Sequence, residues 1–186
     1  MSRLFLVRHG EPAGEDGDPG ITPVGVAQAR LLGERLRDQG VVGVRHSPRR
    51  RAAETAAVLG EVCAVPVVPD GAREDRTPVP ASGEKALYPD RMRSWFAAVP
   101  LAERDEGGAR ISAAVRTYLA DDRQFALVTH AFVVAWFVQQ ILGAPANAWT
   151  SIFTANAGLT TIDRRPGRPP QLVGVNDIGH LLRNGS

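Results

Sequence analysis

Three short apolar runs, Leu4-Phe5-Leu6-Val7, Val41-Val42-Gly43-Val44 and Phe125-Ala126-Leu127-Val128-Thr129, constrain this chain most. Each has strand length, and each is followed by a helical pattern, the first after a loop over 11–20. Thr22-Pro23 is a cap followed by a proline at the first helical position; Ala27, Leu31, Leu32 and Leu36 then keep helical spacing, and Gly40 closes the segment. Ser47-Pro48 repeats the cap-plus-proline signal before a helix running to about Leu59. Residues 131–142 form a helix apolar nearly all round, which belongs in a core or a subunit interface. Residues 84–99 and 103–121 read as mostly helical, 65–68 as a short strand, 69–83 as turns, and 159–163 and 172–175 as closing strands. Strands alternating with helices predict an α/β domain with a mainly parallel sheet.

Composition sets the outer limits. The 186 residues are enough for one domain, taken as 1–186, and 44% apolar with 23% charged residues matches an ordinary globular core. Net charge is +2, too balanced to call for nucleic acid or a membrane surface. The longest apolar stretch, 125–138, is too short to span a bilayer. The single cysteine, Cys63, excludes an internal disulfide framework and a cysteine-rich zinc site, and fits a reducing compartment. These features predict a cytoplasmic protein; the apolar helix 131–142 allows a homodimer.

In a parallel sheet, ligands bind beyond the carboxyl ends of the strands. Here the first strand ends in Arg8-His9-Gly10-Glu11, the second in His46-Ser47-Pro48-Arg49-Arg50-Arg51 and the third in Thr129-His130. Any one of these has an ordinary reading: a structural histidine, a solvated arginine face, a turn glycine. An Arg-His-Gly-Glu string arises by chance in roughly one chain per thousand of this length. Imidazoles, arginine forks and helix starts at one rim describe a phosphate site.

The same residues resemble the histidine phosphatase superfamily, which includes the cofactor-dependent phosphoglycerate mutases. Leu6-Val7-Arg8-His9-Gly10-Glu11 is similar to its signature strand and loop. Ile21-Thr22-Pro23-Val24-Gly25-Val26-Ala27-Gln28-Ala29 resembles its next motif, and Ser47-Pro48 with Arg51-Ala52 and Thr55-Ala56 its Ser-x-x-x-Arg-Ala-x-x-Thr-Ala helix. Val128-Thr129-His130 is similar to the second-histidine motif, and 156–160 to the closing segment with its asparagine. The sequence departs from the pattern at Pro12 (usually Thr), Glu15 (often a phosphate-contacting Asn), Ala131 (commonly Gly) and His46 (frequently a small residue).

The resemblance implies a three-layer αβα sandwich of the phosphoglycerate mutase type. It implies that His9 attacks phosphorus and becomes a phosphohistidine, with Arg8, Arg51, His9 and a protonated His130 holding the phosphoryl group. The register selects Arg51 over Arg49 and Arg50. A carboxylic acid must protonate the leaving group; within 69–76, Ala72-Arg73-Glu74 resembles the family's Leu-Arg-Glu, which points to Glu74 ahead of Asp75 and Asp70. A protonated Glu74 implies an acidic to neutral optimum. Thr129 and Ser47 are expected as helix caps, and Glu11 as a support for the catalytic loop. Segment 76–108 is expected over the site, offering Arg76, Lys85, Tyr88, Arg91, Arg93 and Trp95. No metal and no cofactor is expected. The expected activity is a phosphomonoesterase acting on a small phosphorylated metabolite. Phosphoglycerate mutase-type transfer and an inactive phosphate-binding module are the alternatives.

Overall fold

The computed structural model describes residues 2–70 and 76–182. A six-stranded sheet has the order β3-β2-β6-β1-β7-β8, formed by β1 (Ser2–Arg8), β2 (Val44–His46), β3 (Val67–Pro69), β6 (Phe125–Thr129), β7 (Leu159–Arg164) and β8 (Gln171–Asp177). The first four run parallel; β7 pairs antiparallel with β1, and β8 antiparallel with β7. The sheet is therefore mixed and mainly parallel, as the alternation of strands and helices requires. The second strand lies a few residues later than its apolar run: Val42 is 58% exposed, and the ladder begins at Val44.

Period-two alternation builds two cores. Leu4 and Leu6 point to one face, with Phe125, Leu127 and Ile162, and pack against α4 (Ala109–Ala120) and α5 (Ala131–Leu142). Phe5 and Val7 point to the other, with Val44, Ala126 and Val128, against α1 (Pro23–Leu36) and α2 (Arg50–Cys63). The all-apolar α5 goes into the first core, its residues 133–139 buried. Helix α1 starts as read: Thr22 Oγ1 accepts from Gly25 N at 3.0 Å, with Pro23 at its first position.

The middle of the chain is more broken than its helical periodicity implies. Pro89 separates a 3-10 turn, Lys85–Leu87, from α3 (Asp90–Ala98). Two left-handed glycines, Gly107 and Gly108, delay α4 and leave room for β5 (Arg104–Glu106), which pairs parallel with β4 (Thr77–Val79). Asp105 then supplies the cap at α4, accepting from Arg110 N at 2.9 Å and Ile111 N at 3.0 Å.

Candidate active site

The order β2-β6-β1 sets three strand ends side by side. Arg8 is in register with Thr129, and His46 with Val128. One residue further, the strands still hold one another: His9 N donates to Thr129 O and Ser47 N to Val128 O, both at 3.0 Å. The sheet therefore delivers His9, Ser47 and His130 to one rim, and the rings of His9 and His130 stand 5.3 Å apart, edge to face.

His9 is fixed on both sides. Its Nδ1 lies 2.8 Å from the Gly10 carbonyl and its Nε2 3.2 Å from Arg51 Nε. A carbonyl only accepts, so Nδ1 carries the proton; an arginine only donates, so Nε2 presents its lone pair. Burial lowers the His9 pKa from 6.5 to about 4; the Gly10 bond opposes this, and the charges of Arg51 and Arg8 add to the lowering. The ring is a neutral base at neutral pH.

A short relay holds this geometry. Gly10 N donates to Thr55 Oγ1 at 3.0 Å, and Thr55 Oγ1 donates to Arg51 O at 2.7 Å, tying the loop after β1 to the first turn of α2. Gly10 is more than turn punctuation: a Cβ there would sit 2.6 Å from the Gly25 carbonyl, so α1 approaches only because the side chain is missing. Glu11 acts as a support, accepting from the Thr22 hydroxyl at 2.8 Å and donating its N–H to Gln28 at 2.9 Å. Arg8, on the far side, donates from one guanidinium nitrogen to Thr154 O at 2.6 Å.

His130 is buried, and its pKa falls well below the ordinary value, first through that burial and then through His9 and the charges of Arg51, Arg49 and Arg8. The protonated His130 expected from the sequence is thus disfavoured in the ligand-free protein. A bound phosphate dianion would reverse the balance of charge and favour protonation.

Two cap assignments are corrected. Helix α2 begins at Arg50 with Arg49 in the cap position, not Ser47. Ser47 is fully buried, and its Oγ lies 2.8 Å from His130 Nε2. Helix α5 is capped by His130 rather than Thr129, whose hydroxyl is buried. The strand ends explain both: Ser47 N is still bonded to Val128 O, and Thr129 is the last residue of β6, so neither occupies a helix-cap position.

Asp18, in the acidic loop after Glu11, accepts from Arg50 N at 2.9 Å and lies 4.0 Å from an Arg51 nitrogen, a contact that no motif announced. Glu74 and Asp75 lie outside the described residues. Asp70 follows β3, and its carboxylate accepts from the Tyr118 hydroxyl at 2.6 Å. Of the residues expected over the site, Tyr88 is a core residue, its hydroxyl donating to Ala146 O at 3.0 Å. Arg93 is pinned to Tyr88 O at 3.0 Å and paired with Asp90. Trp95 packs on Phe132, ring centroids 5.5 Å apart, which lays α3 against the first turn of α5 beside His130. Among the described residues, no cluster of three His, Cys, Asp or Glu side chains could hold a metal, and no helix is long and apolar enough to cross a membrane.

The sequence pattern of the histidine phosphatase superfamily, branch 1, matches residues 4–178. The chain belongs to that superfamily. It is 30% identical over 192 aligned residues to the mitochondrial serine/threonine-protein phosphatase Pgam5 of Caenorhabditis elegans, covering 97% of this chain and 64% of that protein. The chain thus spans less than two thirds of that relative. It is 26% identical to the probable phosphoglycerate mutase GpmB of Yersinia pestis, covering 88% of this chain and 85% of that one. Among solved structures, Bacillus stearothermophilus YhfR superposes with a TM-score of 0.75 at 20% identity, over 97% of this chain and all of that one. A mycobacterial glucosyl-3-phosphoglycerate phosphatase bound to VO3 superposes at 0.70 with 24% identity, over 95% and 99%. These likenesses carry the superfamily fold, an α/β sheet flanked by helices.

Proposed function

We propose that this chain is a metal-independent phosphomonoesterase that turns over small phosphorylated metabolites through a phosphohistidine at His9. The observation that carries this reading is the doubly held imidazole: Nδ1 bound to Gly10 O, and Nε2, with its lone pair, facing Arg51. A neutral imidazole fixed in that tautomer is a nucleophile ready at neutral pH. Relatives named as phosphatases and as probable mutases both support phosphoryl chemistry at this site.

His9 Nε2 attacks phosphorus, the bond from phosphorus to the ester oxygen breaks, and the phosphoryl group passes to the ring. Arg8, Arg51 and a His130 protonated in the presence of the anion stabilise charge on the transferring oxygens. The departing alkoxide takes a proton from a carboxylic acid, a role we assign to Glu74. Deprotonated Glu74 then takes a proton from water as that water attacks phosphorus. The nitrogen–phosphorus bond breaks, releasing inorganic phosphate and restoring His9.

The test is phosphate release from a panel of phosphomonoesters between pH 5 and 8, with and without chelator, beside the His9→Ala protein. Chelator-resistant turnover that vanishes in the variant supports the reading; turnover that survives in the variant sinks the nucleophile assignment. Transfer between positions of phosphoglycerate, dependent on a bisphosphoglycerate primer and without phosphate release, would make the protein a mutase instead.

A further inference from the structure

The three consecutive arginines at the start of α2 have different fates. Arg50 is paired with Glu54, Nε to Oε1 at 2.7 Å, with its backbone N–H on Asp18. Arg51 is committed to His9. Arg49 is half-buried, and among the described residues its guanidinium has no hydrogen-bond acceptor and no ion-pair partner. Its backbone N–H donates to Ser47 Oγ at 3.4 Å, and that same oxygen lies 2.8 Å from His130 Nε2. One hydroxyl thus joins the Arg49 backbone to the second histidine.

We propose that Arg49 is a specificity-determining residue, which pairs with a second acidic group on the phosphoester that His9 attacks. The inference rests on the phosphoryl site proposed above. The Arg51 guanidinium contacts His9, whereas the Arg49 backbone is tied through Ser47 to His130. In the reading above the phosphoryl group already has Arg8, Arg51 and His130 on its oxygens, which leaves the Arg49 fork for a second anionic group, a carboxylate or second phosphate. The guanidinium fork matches either in bidentate geometry. Its charge is already felt within the site, acting on His130 more strongly than that of Arg8.

The test compares three esters of similar size: glycerol 3-phosphate, 3-phosphoglycerate, which replaces a hydroxymethyl group by carboxylate, and propanediol 1,3-bisphosphate. KM and kcat are measured for the parent protein, Arg49→Leu and Arg49→Lys. Binding of the same three is measured by calorimetry in the His9→Ala background, where no turnover is needed. Arg49→Leu is expected to raise KM for at least one acid-bearing ester by about tenfold more than for glycerol 3-phosphate, a differential of about 1.4 kcal/mol, with kcat changed far less. Arg49→Lys should recover part of the loss, and the binding constants should move in parallel. Whether the carboxylate or the second phosphate shows the larger effect names the partner group. Equal losses on all three esters, no change on any, or a parent protein that binds the three equally well would overturn the proposal. Absence of turnover in the parent protein, with the binding differential intact, would sink the phosphatase reading and leave the role of Arg49 standing.

Discussion

Arg51 and His9 meet nitrogen to nitrogen: Nε of the guanidinium donates to Nε2 of the imidazole across 3.2 Å. An arginine so placed can approach only a neutral ring. The contact selects the tautomer and, after burial, adds to the lowering of the ring's basicity; the lone pair that accepts from Arg51 is the one that must turn to phosphorus when an ester binds.

Nuclear magnetic resonance of nitrogen-15-labelled protein should therefore show His9 as the neutral Nδ1–H tautomer at pH 7. It should titrate near 4 rather than 6.5. Binding of phosphate or vanadate should raise that value, because a nearby anion favours the imidazolium. A ring that titrates at its ordinary value in the free protein would refute the assigned geometry.

Substitution of Arg51 tests the same contact from the other side. Arg51→Gln removes a charge that lowers the His9 pKa, so the titration should move upward. It also removes a donor to the transferring phosphoryl group, and kcat/KM should fall by roughly 10²–10³. Arg51→Lys keeps the charge but not the planar fork; it should leave the His9 titration nearer to that of the parent than Arg51→Gln does, while still losing much of the rate. A rate loss with no movement of the His9 titration would separate the two residues.

The amount of this site that could be read from the sequence follows from the range of each interaction. Arg8, His9 and His130 sit immediately beyond apolar runs, so their rim position follows from strand direction alone. Thr22 and Pro23 announce α1 by a contact three residues long. The cap signal at Ser47 is local, whereas its partner His130 is 83 residues away, just past the end of a strand that enters the sheet between β1 and β2. Thr55 was legible as part of a motif, but its role depends on Gly10, 45 residues earlier. Segments 84–99 and 103–121 read as mostly helical, yet Pro89 divides the first and the paired glycines at 107 and 108 delay the second. Those local breaks outweigh the apolar spacing.

Ser47→Ala follows directly from the corrected role. If Ser47 were a helix cap, its loss would fray α2 alone. As a buried partner of His130, its loss should cost about 1–3 kcal/mol of stability and loosen the imidazole. Urea unfolding should report the destabilisation. The His130 resonances should shift, while amide exchange in the first turn of α2 remains close to that of the parent. Fraying of α2 with undisturbed His130 resonances would restore the cap assignment.

The pH dependence of stability should carry the signature of His9. Its pKa is about 4 in the folded protein against 6.5 as the ordinary value, so between these limits the unfolded chain binds more protons. The stabilising contribution is complete above pH 6.5 and is lost progressively as the pH falls towards 4. The full gap corresponds to about 3 kcal/mol at about 1.4 kcal/mol per pH unit. His130, lowered in the same direction by burial and neighbouring charge, steepens the loss. Urea midpoints measured from pH 7.5 to 4 should therefore decline for the parent protein, and decline less for His9→Asn, which keeps a polar side chain but cannot titrate. Saturating phosphate should flatten the parent curve, because the bound anion makes protonated histidines tolerable in the folded state. A decline of equal slope in the parent and in His9→Asn would show that the acid sensitivity lies elsewhere.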